Sequence, residues 1–122
     1  MDSKTWNDII LSFAEPHFLQ SWQWGEVKKF NDWSPHHLSW KDDTGEVESA
    51  SLVLERSAKP LPFLPAFKMM YAPKGPLLKD WADPDLCKRS LDKLIAFAKE
   101  QNAFMVKIDP DVLLGKGIPG ED

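Results

Sequence analysis

The stretch Phe104-Met-Val-Lys-Ile-Asp-Pro-Asp-Val112 decides how this chain is read. Five mostly apolar residues of strand character run into an Asp-Pro break, and Pro110 has no N–H to give a ladder. The strand should therefore stop at or near Asp109. A carboxylate at the carboxyl edge of a parallel strand stands at the lip of a cleft, where α/β sheets expose chemistry. Working back, Asp83-Pro-Asp opens the clearest helix of the chain. Asp83 is its N-cap, Pro84 suits its first turn, and Asp85 suits the positive end of its dipole. Leu86, Cys87, Leu91, Leu94, Ile95 and Ala98 form its apolar stripe, and it ends near Gln101-Asn102.

Before that helix, Phe67-Lys-Met-Met-Tyr71 reads as a strand closed by Ala72-Pro-Lys-Gly-Pro76. Strand, crossover helix and strand predict parallel pairing of the last two strands. Earlier still, His37–Trp40 and Val47–Glu55 alternate around the turn Asp42-Asp-Thr-Gly45, which predicts an antiparallel hairpin. Ser57–Pro65 is a proline-punctuated loop. Near the N-terminus, apolar positions 6, 9, 10 and 13 have helical spacing, stopped by Pro16. A second helix should run from the Ser21 cap to about Phe30, with Trp24, Val27 and Phe30 on a buried face and Lys28 at its edge. The expected fold is α+β, a mixed sheet flanked by helices in the order α-α-β-β-β-α-β, the layout of GNAT acyltransferases. Residues 1–112 form the domain and 113–122 a Gly/Pro/acidic tail.

Composition bounds the function. The 122 residues are 43% hydrophobic and 28% charged, enough for one domain with a real core. No apolar run is long enough to span a membrane, and Met1-Asp-Ser-Lys-Thr-Trp6 lacks the character of a signal peptide. The lone Cys87 fits a reducing cytoplasm, and its place on an apolar face predicts an inert thiol. A net charge of −4 argues against a surface that grips nucleic acid throughout, while leaving room for a local basic patch. The six tryptophans are read as core and edge anchors. His17, His36 and His37 make no metal set, because neighbours on a strand point to opposite faces.

Read from the residues alone, Asp109 is either a general base or merely the end of a strand that caps the next turn, and the second is the simpler. Lys28 and Lys29 follow two tryptophans on one helix. They could hold a phosphate as point charges, or simply solvate the helix face. Acetyl-CoA is disfavoured: a pyrophosphate cradle needs free backbone N–H groups at a helix start, whereas Pro73 and Pro76 lack donors and Asp83 and Asp85 repel phosphate.

Taken together, Phe18-Leu-Gln-Ser-Trp-Gln-Trp-Gly-Glu-Val-Lys28, Tyr71-Ala-Pro-Lys-Gly-Pro76 and Lys107-Ile-Asp-Pro-Asp-Val112 resemble, in order and spacing, the N-terminal part of the FemABX family. These are peptidoglycan-bridge aminoacyltransferases, including lipid II:glycine glycyltransferases and methicillin-resistance factors. The resemblance covers about Phe18 to Val112. It implies a GNAT-like subdomain of a larger enzyme that moves an amino acid from aminoacyl-tRNA to the stem peptide of a peptidoglycan precursor, either UDP-MurNAc-peptide or lipid II. It implies no cofactor, with aminoacyl-tRNA as co-substrate. Lys28 matches a lysine that contacts the precursor diphosphate in relatives; with Trp24 and Lys74 it makes the expected substrate-binding set. Asp109 matches the Asp of the family's Asp-Pro motif and is the expected catalytic base. Family members are much longer, so the chain alone is expected to be inactive and to self-associate through apolar surface. A non-catalytic binding module on the same core is the alternative, and an acetyl-CoA-dependent N-acetyltransferase a further one.

Overall fold

The computed structural model describes residues 1–58, 62–63 and 67–110. Its elements are α1 (Ser3–Leu11), a 3-10 turn (Phe18–Gln20), α2 (Trp22–Lys29), β1 (Ser34–Lys41), β2 (Val47–Ala58), β3 (Phe67–Lys74), β4 (Leu77–Leu78), α3 (Pro84–Glu100) and β5 (Ala103–Pro110). Local chemistry sets most boundaries. Asp2 accepts the Thr5 N–H at 2.8 Å and caps α1, Ser21 Oγ accepts from Trp24 N at 3.2 Å, and Asp83 Oδ1 accepts from Asp85 and Leu86. Between β1 and β2, Asp42 Oδ1 accepts the N–H groups of Thr44 and Glu46, and Gly45 takes φ +88°.

The sheet is mixed. β1, β2 and β3 pair antiparallel in that order, β5 joins β3 in parallel after crossing over through α3, and β4 pairs with β2. Helices cover it on two sides. Under α1 and α2 lies a core of Trp6, Ile10, Phe13, Ala50, Leu52, Leu54 and Leu77, and under α3 one of Val53, Met70, Ala72, Leu94 and Ala98. Trp6 is fully buried, whereas Trp22, Trp24 and Trp33 pack on the first core's rim. His37 stacks on Trp22 with ring centroids 4.1 Å apart, while His36 meets Phe97 of α3, so the two histidines do face opposite ways.

Several sequence expectations are corrected. The helix Ser21–Phe30 does not bury Val27 or Phe30, which are 46% and 91% exposed. Its buried contact is Gly25, where an added Cβ would lie 3.0 Å from Pro35 Cβ, so the helix presses flat on the sheet and turns those two side chains outward. In α3 the buried line is Leu86, Ser90, Leu94 and Ala98, a strict four-residue spacing that leaves Ile95 47% exposed. The third strand is not closed at Ala72 but continues through Lys74, and β2 carries Ser57 to Ala58 before the loop. The element order gains β4 and the 3-10 turn. The last strand runs to Pro110 as an edge strand, with Phe104 67% and Met105 39% exposed, because nothing among the described residues pairs its outer side. Much of the expected loop and all of the expected tail, 113–122, lie outside the described residues.

Candidate functional site

The site is built around a buried glutamine that the sequence did not advertise. β2 and β3 stay paired as far as Leu54↔Tyr71, and β2 next pairs with β4 at Ala50↔Leu77. Between these points the strands part, because Pro73 has no N–H to offer Leu52. Gln20, fully buried, fills the gap with its amide. Its Oε1 accepts from Leu52 N at 2.6 Å, and its Nε2 donates to Leu52 O at 3.2 Å and to Pro73 O at 2.7 Å. Trp6 Nε1 donates to the Gln20 carbonyl at 2.8 Å, tying the 3-10 turn to α1. The side-chain amide thus replaces a missing piece of ladder, and no buried backbone group of Leu52 is left unpaired.

Gly75 lies against this amide. A Cβ there would stand 2.6 Å from Gln20 Nε2, so only glycine lets the chain pass. Gly75 O in turn accepts the Asp109 N–H at 3.3 Å. The three segments singled out in the sequence therefore meet, the first through Gln20, the second through Pro73 and Gly75, the third through Asp109.

At this junction Lys74 Nζ lies 3.9 Å from Asp109 Oδ2, with the two side chains 34% and 48% exposed. They sit at the carboxyl edge of the parallel pair β3–β5, where Pro73 is in register with Asp109 and Lys74 with Pro110. The structure thus brings two of the expected site residues together. The other two form a second pair. Lys28 Nζ lies over the Trp24 ring at 5.1 Å, and Trp24 meets Phe18 edge-on at 5.9 Å. Phe18 shares its 3-10 turn with Gln20, so a chain of contacts leads from Lys28 through Trp24, Phe18 and Gln20 to Pro73, the neighbour of Lys74. No direct contact joins the two pairs among the described residues.

Two cationic pairs escaped the sequence reading. Arg56 Cζ lies over the Trp33 ring at 5.4 Å, and Lys107 Nζ over Tyr71 at 5.4 Å. Lys107 and Tyr71 sit in quoted motifs and Arg56 just after the expected strand Val47–Glu55, but the ring each cation meets is set by strand register. Elsewhere, burial lowers the His37 pKa to about 4. The hydrogen bond from Arg89 lowers the pKa of Glu48, the charges of Arg89 and Lys93 helping. Cys87 is half-buried and donates to Trp81 O at 3.2 Å. No group of three or more metal-ligating side chains comes together, and no helix is long and apolar enough to cross a membrane, both among the described residues. Pockets of about 680 and 310 Å³ flank α1 on either side, and neither is lined by Lys28, Trp24, Lys74 or Asp109.

Comparison with known proteins agrees with this architecture. Lipid II:glycine glycyltransferase of Staphylococcus haemolyticus (strain JCSC1435) is 32% identical over an alignment of 111 residues that covers 88% of this chain and 25% of that protein. The Staphylococcus aureus protein of the same name is 30% identical over 109 residues, 89% of this chain and 24% of its own length. The chain thus spans about a quarter of the relatives it matches. The crystal structure of FemX superposes with a TM-score of 0.76 at 27% identity, covering 98% of this chain and 28% of FemX. The FemAB family model matches residues 7–117, and with that match over most of its length the chain belongs to the FemAB family.

Proposed function

We propose that residues 1–112 form a GNAT-like subdomain of a cytoplasmic aminoacyltransferase. The enzyme transfers an amino acid from aminoacyl-tRNA to an amine on the stem peptide of a peptidoglycan precursor. The observation that carries this reading is the meeting of three segments at Gln20, which sets the Lys74–Asp109 pair at the carboxyl edge of β3–β5. In this reading Asp109 takes the proton from the attacking amine, with Lys74 beside it. Lys28, held over Trp24, attracts the precursor diphosphate as a point charge. An aminoacyl ester is already activated, so alignment of two large substrates supplies more of the rate than proton removal. No cofactor is required. Acetyl-CoA is disfavoured because the first-turn N–H groups of α3 are already taken by Asp83.

Because the chain spans about a quarter of its relatives, we expect no transfer by residues 1–122 alone. Aminoacyl transfer from charged tRNA by this chain would refute that. Titration with UDP-MurNAc-pentapeptide tests the binding role: Lys28→Ala should weaken binding about tenfold, the value of one charge-assisted contact. A folded chain that binds no precursor would instead favour a non-catalytic module, a reading helped by Asp109 already being paired and half exposed. The β5 edge, unpaired among the described residues and with exposed Phe104 packed on Phe67 at 5.1 Å, also supports self-association of the isolated chain. A monomeric sedimentation profile at high concentration would remove that expectation.

A further inference from the structure

Strand alternation does not account for the Lys74–Asp109 pair. Leu54, in the core beneath α1 and α2, is in register with Tyr71, and Pro73, two residues on, shares that face with its β5 partner Asp109. Met70 and Ala72 lie in the core beneath α3, so a regular strand continued through Lys74 would send its side chain to the α3 side, away from Asp109. Yet Lys74 Nζ stands 3.9 Å from Asp109 Oδ2. The backbone supplies the reason. Ala72 O accepts the Gly75 N–H at 3.2 Å, closing a turn with Pro73 second and Lys74 third, and Lys74 has φ +54°. Proline second and a positive φ third describe a type II turn, whose third position favours glycine or asparagine.

Lysine is a poor choice for that backbone on local grounds, because its Cβ meets a steric cost in the left-handed region that glycine avoids. The other residues with positive φ among those described are Asp32, Gly45 and Asn102, all of types that tolerate it. Neighbours hold Lys74 there from both sides. Gln20 Nε2 donates to Pro73 O at 2.7 Å, which fixes the peptide entering Lys74. Gly75, on the far side of Lys74, packs on the same amide, where a Cβ would lie 2.6 Å from Nε2. Gly75 O then accepts the Asp109 N–H at 3.3 Å, so one buried side chain sets the turn and, through it, the end of β5. Strain held in place this way points to a role for the side chain it presents.

We infer that Gln20 and Lys74 are positioning residues for Asp109: the Gln20 amide holds the turn left-handed at Lys74, and the turn aims the Lys74 ammonium at Asp109 Oδ2. This deepens the reading of Asp109 as the base and rests on it for the chemistry. With Oδ2 facing Lys74, Oδ1 is the oxygen left to accept a hydrogen bond from the attacking amine. Lys74 thereby serves the carboxylate rather than a phosphate of the ligand.

The test is urea unfolding and NMR spectroscopy of the 122-residue chain. Lys74→Gly and Lys74→Gln both lack the ammonium, and Lys74→Gly should have the higher urea midpoint because glycine accepts the left-handed backbone. Lys74→Gln should shift the carboxylate carbon resonance of Asp109 in the unaltered background and leave it unmoved in Gln20→Met, which keeps the bulk and loses the amide. Gln20→Met should also speed exchange of the Asp109 N–H about tenfold, as the turn that holds it loosens. Leu94→Ala, in the core beneath α3, lowers stability without touching the turn and should keep the carboxylate response, which separates positioning from stability. A Lys74→Gly midpoint at or below that of Lys74→Gln would overturn the inference, even where Gln20→Met fails to fold. A carboxylate response that persists in Gln20→Met would overturn it as well. No substrate enters these measurements, so their failure is distinct from failure of the precursor titration.

Discussion

The two faces of the sheet treat charge in opposite ways. On the α3 side, carboxylates meet cations of the fold: Glu55 lies 3.9 Å from Lys68. Arg89 and Lys93 of α3 reach Glu48 at 3.0 and 3.7 Å. On the α2 side Lys74 is paired with Asp109 and Lys29 with Glu26, but Lys28, Arg56 and Lys107 rest on rings instead. On the α3 side these pairs tie α3 to the sheet and contribute to the fold. Cations oriented by aromatic rings keep their donors for something else. The contrast separates cations that pair with carboxylates from cations that lie on rings.

That division can be broken by mutation. The largest effect is expected at the hinge between strands, where Gln20→Ala strands two backbone groups of Leu52 and leaves a cavity. A loss of about 3 kcal/mol should appear as a lower urea midpoint with an unchanged slope. Next, Glu48→Gln removes the shared partner of Arg89 and Lys93 and should cost about 1 kcal/mol, less in high salt because both cations are partly exposed. A loss that did not shrink with salt would argue that packing rather than charge holds α3 there.

Acid sharpens the comparison on the covered part of the α2 face. The folded pKa of His37 is about 4, below the ordinary 6.5, so the unfolded chain takes up this proton first. Stability should be unaffected by this group above pH 6.5, fall as the pH drops toward 4, and level off below. His37→Gln should flatten the melting temperature across that window; an unchanged slope would mean the imidazole is protonated in the fold. The smallest effect is expected at Arg56. Arg56→Gln should alter stability by less than about 0.5 kcal/mol in urea unfolding, since an exposed cation on a ring adds little to folding. A large destabilisation would mean that the Arg56–Trp33 contact contributes to the fold.

Much of this was legible in the chain because it rests on near neighbours. The caps Ser21 and Asp83, the Asp42–Gly45 turn and the parallel crossover through α3 follow from residues within a few positions of one another. Of the site residues, Lys74 and Asp109 were marked separately and proved to be paired. Trp24 and Lys28 were marked on one helix and proved to be stacked. Val27, Phe30 and Ile95 were misread because periodicity reports which residues share a side of a helix, not which side meets the sheet. That choice belongs to Gly25 in α2 and to the Leu86–Ser90–Leu94–Ala98 line in α3.

Sequence alone determined the longer elements, the caps Ser21 and Asp83, the strand directions and the family resemblance, since each is written in local pattern or in motif order. Tertiary structure decided what Gln20 does, for its amide reaches Leu52 and Pro73, 32 and 53 residues away, and a polar residue after Phe18-Leu looks ordinary until those strands part around it. It also decided which cations find rings and which find carboxylates. Strand register, set by the whole sheet, puts Lys107 beside Tyr71 and Arg56 within reach of Trp33, and no short window of sequence contains both members of either pair.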